Sequence, residues 1–408
     1  MRMLLSFAAL FLSVALLQLS SGAVAPLDAL SGAALGFSTP QIGLLGSAHF
    51  TGFFVGCWWA PRLIGVVGHS RAFAVFTATG AIALLAHMLV IDPRAWAVMR
   101  IGSGLCVAGC YTVIEAWLNA KLSNENRGRA TGAYRAVDLG ASLVAQGMIG
   151  VLAPASYVSY NLLAIVCCAA ILPLALTTVR PPETPDAPRL RPMLAVAKSP
   201  LGAAAVVIAG LTSATVRTIG PVFGQGVGLT PGQIGLFLVA FVGGGALAQI
   251  PAGWIADRID RRIMLTGLSL AAMGACAAMA VAAGLGPQAV IAAAALFGFA
   301  TFPIFSLAAA HAHDFATASE RVELSAALMF LFAVGAIGAP LAASGLIDRF
   351  GPAAMVWMIG AAHAALVAYG LTRFRARPTV PDRTAYVYTP RTSFTLGRLF
   401  ARRRDRDD

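Results

Sequence analysis

"GWIADRIDRR" occupies Gly253–Arg262. Five of its ten residues are charged: Asp257, Arg258, Asp260, Arg261 and Arg262. Across all 408 residues only 11% are charged and 58% are hydrophobic, with a mean hydropathy of +0.79. A soluble chain carries roughly a quarter charged residues. The cluster therefore reads as a hydrated turn between apolar segments, and the chain as an integral membrane protein.

Apolar runs near twenty residues recur on both sides of that turn, each long enough to cross ~30 Å of hydrocarbon as a helix. Nothing alternates as barrel strands do, so helices must satisfy the backbone in lipid. Twelve spans are predicted, over 4–30, 40–64, 72–91, 95–118, 129–152, 157–178, 201–226, 232–256, 263–285, 288–311, 323–346 and 353–373. Arg2, an apolar run and Ala23-Val24-Ala25 have the outline of a secretory signal. The run is too long for a signal core, and the repeat described next gives it a partner. It reads as a retained helix.

"GFSTPQIGLL" at Gly36–Leu45 has a counterpart in "GLTPGQIGLF" at Gly228–Phe237, at an offset of 192. The same offset pairs Ala97-Val98 with Ala289-Val290, and it drifts to about 194 where Gln146 faces Pro340. Spans 1–6 and 7–12 are thus two copies of one unit, a plan shared by many secondary transporters. Residues 1–178 form the first half and 201–373 the second. Residues 179–200, rich in Pro and charge, read as a cytoplasmic linker, and 374–408 as a basic cytoplasmic tail.

The net charge of +12 does not point to nucleic acid. With the N-terminus inside, 24 of the 29 Lys and Arg fall on the cytoplasmic side. Arg94 and Arg349 fall outside, and Arg100, Arg135 and Arg217 lie within spans. That asymmetry sets the orientation, with both termini cytoplasmic, and suits an anionic lipid surface. Arg outnumbers Lys 27 to 2 in an Ala-rich chain, a composition that suggests a bacterial inner-membrane protein. The six cysteines read as small apolar packing residues.

The opening stretch resembles the G-x-x-x-D-R-x-G-R-R loop of the major facilitator superfamily, with Asp260 in place of the second glycine. Arg100-x-x-x-Gly104 resembles that family's arginine–glycine motif on the fourth span. "APRLIGVVGHSRAF" (Ala60–Phe73) and "VIEAWLNAKLSNENRGR" (Val113–Arg129) are similar to its YcaD-like branch. The resemblance implies an all-α membrane fold of two pseudo-symmetric six-helix bundles. It also implies alternating-access transport of a small solute, with spans 1, 4, 7 and 10 lining the path. The first-half loop keeps Gly68 but has Gly65 where the second half has Asp257. The drug-antiporter motif on span 5 is degraded, with Gln146 where proline belongs, which weakens an efflux-antiporter alternative without removing it.

An ionisable side chain in mid-membrane is costly unless it faces water or a partner, so each is a functional candidate. Six stand out: Asp28, Arg100, Glu115, Arg135, Asp138 and Arg217. Gln18, Asp28, Arg100 and Arg217 are the substrate candidates, the two arginines tilting toward an anionic solute. Asp28 and Arg217 fall one turn apart when the halves are superposed, and are expected to approach in one state; an inert ion pair is the alternative. Asp138 beside Arg135, with Asp28 second, is the candidate for proton coupling. Pro26 and Pro221 are expected to kink or interrupt their helices. His49 and His87 read as interhelical hydrogen bonders, and "HAHD" (His311–Asp314) as no metal site.

Gly68, Gly253, Asp257, Arg258, Arg261 and Arg262 form the gating loops, whose charges are expected to stay hydrated. Asp257 is expected to latch against the start of span 5. No ATP-binding loop, catalytic triad or metal motif is present in the sequence, so neither an enzyme nor a cofactor is expected. The expected partners are a small-molecule substrate and membrane lipids, with the chain acting as a monomer. A non-transporting sensor of the same fold is the alternative class.

Overall fold

The computed structural model describes residues 2–122, 127–176, 189–373 and 386. It divides into two compact units, one up to Ala187 and one from Pro188. The first holds α1 (Arg2–Ala34), α2 (Thr39–Val67), α3 (His69–His87), α4 (Pro93–Lys121), α5 (Arg127–Gly147), α6 (Tyr157–Ala169) and α7 (Ile171–Ala175). The second holds α8 (Pro192–Lys198), α9 (Pro200–Gly226), α10 (Pro231–Ala256), α11 (Arg261–Ala282), α12 (Pro287–Thr301), α13 (Pro303–His313), α14 (Arg321–Phe350) and α15 (Ala354–Arg373).

The sequence repeat becomes a structural one. Ser38 and Gln41 form a capping box at the start of α2, and Thr230 and Gln233 form the same box at the start of α10. Each satisfies helix-end amides reciprocally, and each is followed by a proline in the first turn. Inside the first unit α2 packs on α4, α3 on α4 and α6, and α1 on α5 and α6. Inside the second unit α10 packs on α12, α11 on α12 and α15, and α9 on α14 and α15. The tightest crossings use paired glycines. A side chain on Gly52 or Gly104 would overlap the backbone carbonyl of Ile101 or His49. Their counterparts Gly244 and Gly298 meet Ala295 and Phe241 the same way, so only glycine lets these helices touch.

Among the described residues, eleven helical stretches are long and apolar enough to cross a membrane, with α6 and α7 counted as one and α12 and α13 as another. The remaining predicted span, 129–152, is α5 with a short 3-10 turn at Met148–Gly150. It carries Arg129, Arg135, Asp138 and Gln146, which lower its hydropathy, and it packs on α1. Large apolar residues such as Ile82, Val98, Leu247 and Ile250 stay exposed, as lipid-facing surfaces require.

One expectation needs correction, that Pro26 and Pro221 interrupt their helices. α1 and α9 run through Pro26 and Pro221 without interruption. The breaks fall instead at Ala170, between α6 and α7, and at Phe302, before Pro303. The linker's described end is also ordered, for α8 packs on α9 and α14. Lys198 holds Glu320 at 2.7 Å and Arg191 holds Glu323 at 3.1 Å. The rest of the linker, and the tail apart from Tyr386, lie outside the described residues.

Candidate functional site

α1, α3, α4 and α6 bring four polar side chains together inside the first half. Asp28, His87, Arg100 and Tyr160 are each buried. Asp28 Oδ2 lies 3.2 Å from Arg100 Nε and 3.6 Å from His87 Nε2. Its Oδ1 accepts a 2.8 Å hydrogen bond from Tyr160 Oη. The His87 ring stacks on Tyr160 at 5.1 Å and meets Trp96 at 4.9 Å. Trp96 Nε1 donates to the His87 carbonyl at 2.8 Å. Trp96 and Arg100 are one turn apart on α4, so one helix face supplies both an aromatic wall and a cation.

A second cluster joins α1, α4 and α5. Tyr111 Oη contacts Gln18 Oε1 at 2.7 Å and also hydrogen-bonds Asp138 Oδ1. Gln18 is buried and Asp138 half-buried. Arg135 is half-buried on the same helix, and Glu115 is buried on α4. Beside Arg100 lies a small cavity that Ser20, Ser21, His49, Ser103 and Cys106 also border. His49 Nδ1 and Ser103 Oγ are 3.3 Å apart across its wall.

In the second half the charged stretch departs from expectation. Arg261 is only 1% exposed, and its Nη1 reaches both oxygens of Asp314 at 2.7 and 2.8 Å. A buried guanidinium needs such a partner, and the end of α13 provides it. Asp260 caps α11, accepting from Arg262 N at 2.9 Å and bridging Arg262 Nη2 at 2.7 Å. Partial burial opposes its ionisation, but the hydrogen bonds from Arg262 hold its carboxyl below the usual range. Asp260 has φ −61°, where any residue fits, whereas Gly68 in the first-half loop has φ +81°, which favours glycine. The aspartate thus replaces a glycine that this turn does not need. Arg258 does stay exposed, its guanidinium 4.0 Å over the Trp254 ring.

Asp257 is 48% exposed and accepts a 2.8 Å bond from Tyr386 N. Tyr386 Oη donates to Gln249 Oε1 at 2.7 Å, and a side chain on Gly253 would come within 3.0 Å of its ring. Gln249, Gly253 and Asp257 follow one another at four-residue steps, so one face at the end of α10 holds a tail residue.

The structure gathers Gln18 with Asp138, and Asp28 with Arg100. The expected partner of Asp28 was Arg217; within the first half its carboxylate is held by Arg100, His87 and Tyr160. Arg217 is half-buried on α9. Sequence reading missed Tyr111, Tyr160 and Tyr386, because uncharged or terminal residues give no depth signal, and it named Asp314 only within a stretch read as no metal site. Among the described residues no group of His, Cys, Asp or Glu could hold a metal ion.

Two stretches, residues 7–204 and 202–404, match the family model described as Major Facilitator Superfamily. An uncharacterized MFS-type transporter of Yersinia pestis (strain Pestoides F) is 26% identical over 321 residues, spanning 76% of this chain and 81% of the relative. The uncharacterized MFS-type transporter YcaD of Escherichia coli O17:K52:H18 is 27% identical over 77% of this chain and 81% of its own. The solved nucleoside transporter NupG superposes with a TM-score of 0.74 at 14% identity, over 90% of this chain and 98% of its own. A D-xylose-proton symporter superposes with a TM-score of 0.67 at 14% identity, over 92% and 98%. With both halves matched and the fold shared, the chain belongs to the major facilitator superfamily of membrane transporters.

Proposed function

We propose that the chain is a proton-coupled secondary transporter, moving a small organic solute across the bacterial inner membrane by alternating access. The carrying observation is the Tyr111 hydroxyl between Gln18 and Asp138. A phenol has one proton, yet both neighbours present an acceptor oxygen. The contact balances when Asp138 is protonated and donates to Tyr111, which then donates to Gln18. An ionised Asp138 accepts the Tyr111 hydrogen bond instead and leaves Gln18 to turn its amide. A proton on Asp138 is thereby tied to the orientation of Gln18, a substrate candidate on α1. Arg100 is engaged by Asp28, so the tilt toward an anionic solute rests on Arg217. Both termini face the cytoplasm on the charge asymmetry, and the chain works as a monomer among lipids. The relatives' names give no substrate, and the names of NupG and the xylose symporter place nucleosides and sugars in a first panel.

A thermal-shift screen of that panel at two pH values tests the reading, since a ligand that prefers the folded state raises its stability. The expected result is a solute whose stabilisation depends on pH in the wild type and not in Asp138→Asn. A solute equally stabilising at both pH values in the wild type counts against coupling through Asp138.

A further inference from the structure

The charged side chains inside the first half's spans are all engaged: Asp28 with Arg100, Asp138 with Tyr111, and Glu115 and Arg135 with their own neighbours. Arg217 in the second half is not. It lies nine residues before the end of α9, at Gly226. At ~1.5 Å per residue that is about 14 Å from the helix end, inside the ~30 Å hydrocarbon layer. Among the described residues no carboxylate comes within ion-pair distance of its guanidinium. The second half has no acid to offer at that depth. Asp257 and Asp260 stand between α10 and α11, Asp314 ends α13, Glu320 and Glu323 stand at the start of α14, and Asp348 lies in its last turn. Asp28, the partner expected from the sequence, already has Oδ1 on Tyr160 and Oδ2 beside Arg100.

A cation at that depth is costly unless water or a ligand meets it. We infer that Arg217 is the anion-recognition point of the solute site, and that the solute is a small monocarboxylate held by its guanidinium with the Ser213 hydroxyl beside it. Arg217 is half-buried, so it stays accessible to a ligand. Ser213 lies one turn earlier on the same face of α9. The neighbouring hydroxyls are engaged within the half: Thr218 donates to the Ala214 carbonyl at 2.8 Å, and Thr212 meets His363 at 3.2 Å. The planar fork of a guanidinium matches the two oxygens of a carboxylate. One negative charge neutralises one arginine. A dianion would bring a surplus charge into a half that has no other Lys or Arg away from its helix ends.

The repeat isolates the feature. At the offset of 192, Ser213 corresponds to Ser21 and Arg217 to Ala25. Both copies keep the serine, and Ser21 borders the cavity of the first half. The second half alone adds a cation one turn beyond it. This inference rests on the transport reading and names its substrate class, but it does not depend on coupling through Asp138.

Thermal unfolding of the purified full chain tests it, with acetate, lactate and benzoate each compared with its primary amide, and with succinate, at equal ionic strength. The expected result is a saturable rise in melting temperature with at least one monocarboxylate and none with its amide. Arg217→Gln should abolish that rise. Arg217→Lys keeps the charge but not the planar fork, and should weaken the apparent affinity by roughly tenfold. Without ligand, Arg217→Gln should melt at or above the wild-type temperature, because no partner in the fold is lost; this separates lost binding from lost folding. A clear fall there would reveal a structural partner and overturn the inference. So would no rise with any of the three acids, equal rises with acid and amide, a larger rise with succinate, or an undiminished rise in Arg217→Gln. A neutral solute that stabilises wild type and Arg217→Gln alike would sink this assignment and spare the transport reading. Acid binding through Arg217 with no carriage of that acid into proteoliposomes would spare the site and sink the transport reading.

Discussion

Arg261 shows what a single residue contributes to the loop that first marked this sequence. In sequence it is one of five charges in a turn, and nothing distinguishes it from Arg258 or Arg262. In the fold Arg258 lies over Trp254 at the surface, Arg262 holds Asp260, and Arg261 turns inward to Asp314. Removing one partner of a buried pair leaves an uncompensated charge, at a cost of ~3–5 kcal/mol. Asp314→Ala should therefore lower the melting temperature clearly, while Arg258→Ala should change it little. Equal melting temperatures for Asp314→Ala and wild type would show that the pair is not sealed from water. The intramembrane charges were legible as candidates because hydropathy exposes them. Their partners were not, because Asp28 meets residues 59, 72 and 132 positions away, and no helical periodicity links them.

At the scale of the element, the helices were legible and their caps and crossings were less so. "STPQ" and "TPGQ" read in sequence as one matched pair of the repeat, and the structure shows that each forms a capping box. Gly52, Gly244 and Gly298 read in sequence as ordinary small residues of apolar runs, and Gly104 as part of a motif with no packing role attached. Their role is visible only when α2 meets α4 and α10 meets α12. Gly104→Val should overpack the first of these crossings, costing ~1–3 kcal/mol or more. Gly102→Val faces only Thr79 and Ala83 side chains at ordinary distances, so it should be tolerated. Comparing the denaturation midpoints of the two variants decides the matter.

The tail contact belongs to this scale as well. Gly253→Val should displace Tyr386 from α10 and make the tail cleave several-fold faster under limited trypsin treatment, compared with wild type. Unchanged cleavage would mean that the contact does not hold the tail. The α8 anchor carries a pH signature. Hydrogen bonds from Lys198 and from Thr317 lower the Glu320 carboxyl from 4.5 to about 2. A lowered value in the folded state means that the contact contributes fully above the ordinary value and is lost as pH falls toward the lowered one. Hydrogen exchange in α8 should accordingly rise below about pH 4 in wild type, and rise less in Glu320→Gln, where the Arg191–Glu323 pair alone still titrates.

At the scale of the whole molecule, the repeat is symmetric in packing and asymmetric in chemistry. Both halves use the same helix pairings. The first half alone carries Asp28, His87 and Arg100 at matched positions, together with Asp138 and Tyr111. The second half places its buried charge pair, Arg261 and Asp314, at its loop end. This asymmetry is what a carrier needs if protons are handled in one half while the other supplies a gate. The two-fold plan and the family were legible because the offset, the span count and the loop motif all agree. The substrate was not, because Arg100 is neutralised inside the fold and its sign no longer reports on a ligand.

The most direct measurement is uptake into proteoliposomes of a solute found by the stability screen, with an imposed proton gradient and no other energy source. The account predicts accumulation in wild type that collapses when an uncoupler dissipates the gradient. It predicts that Asp138→Asn equilibrates the solute without accumulating it. Accumulation that survives the uncoupler, or that Asp138→Asn retains in full, would contradict it.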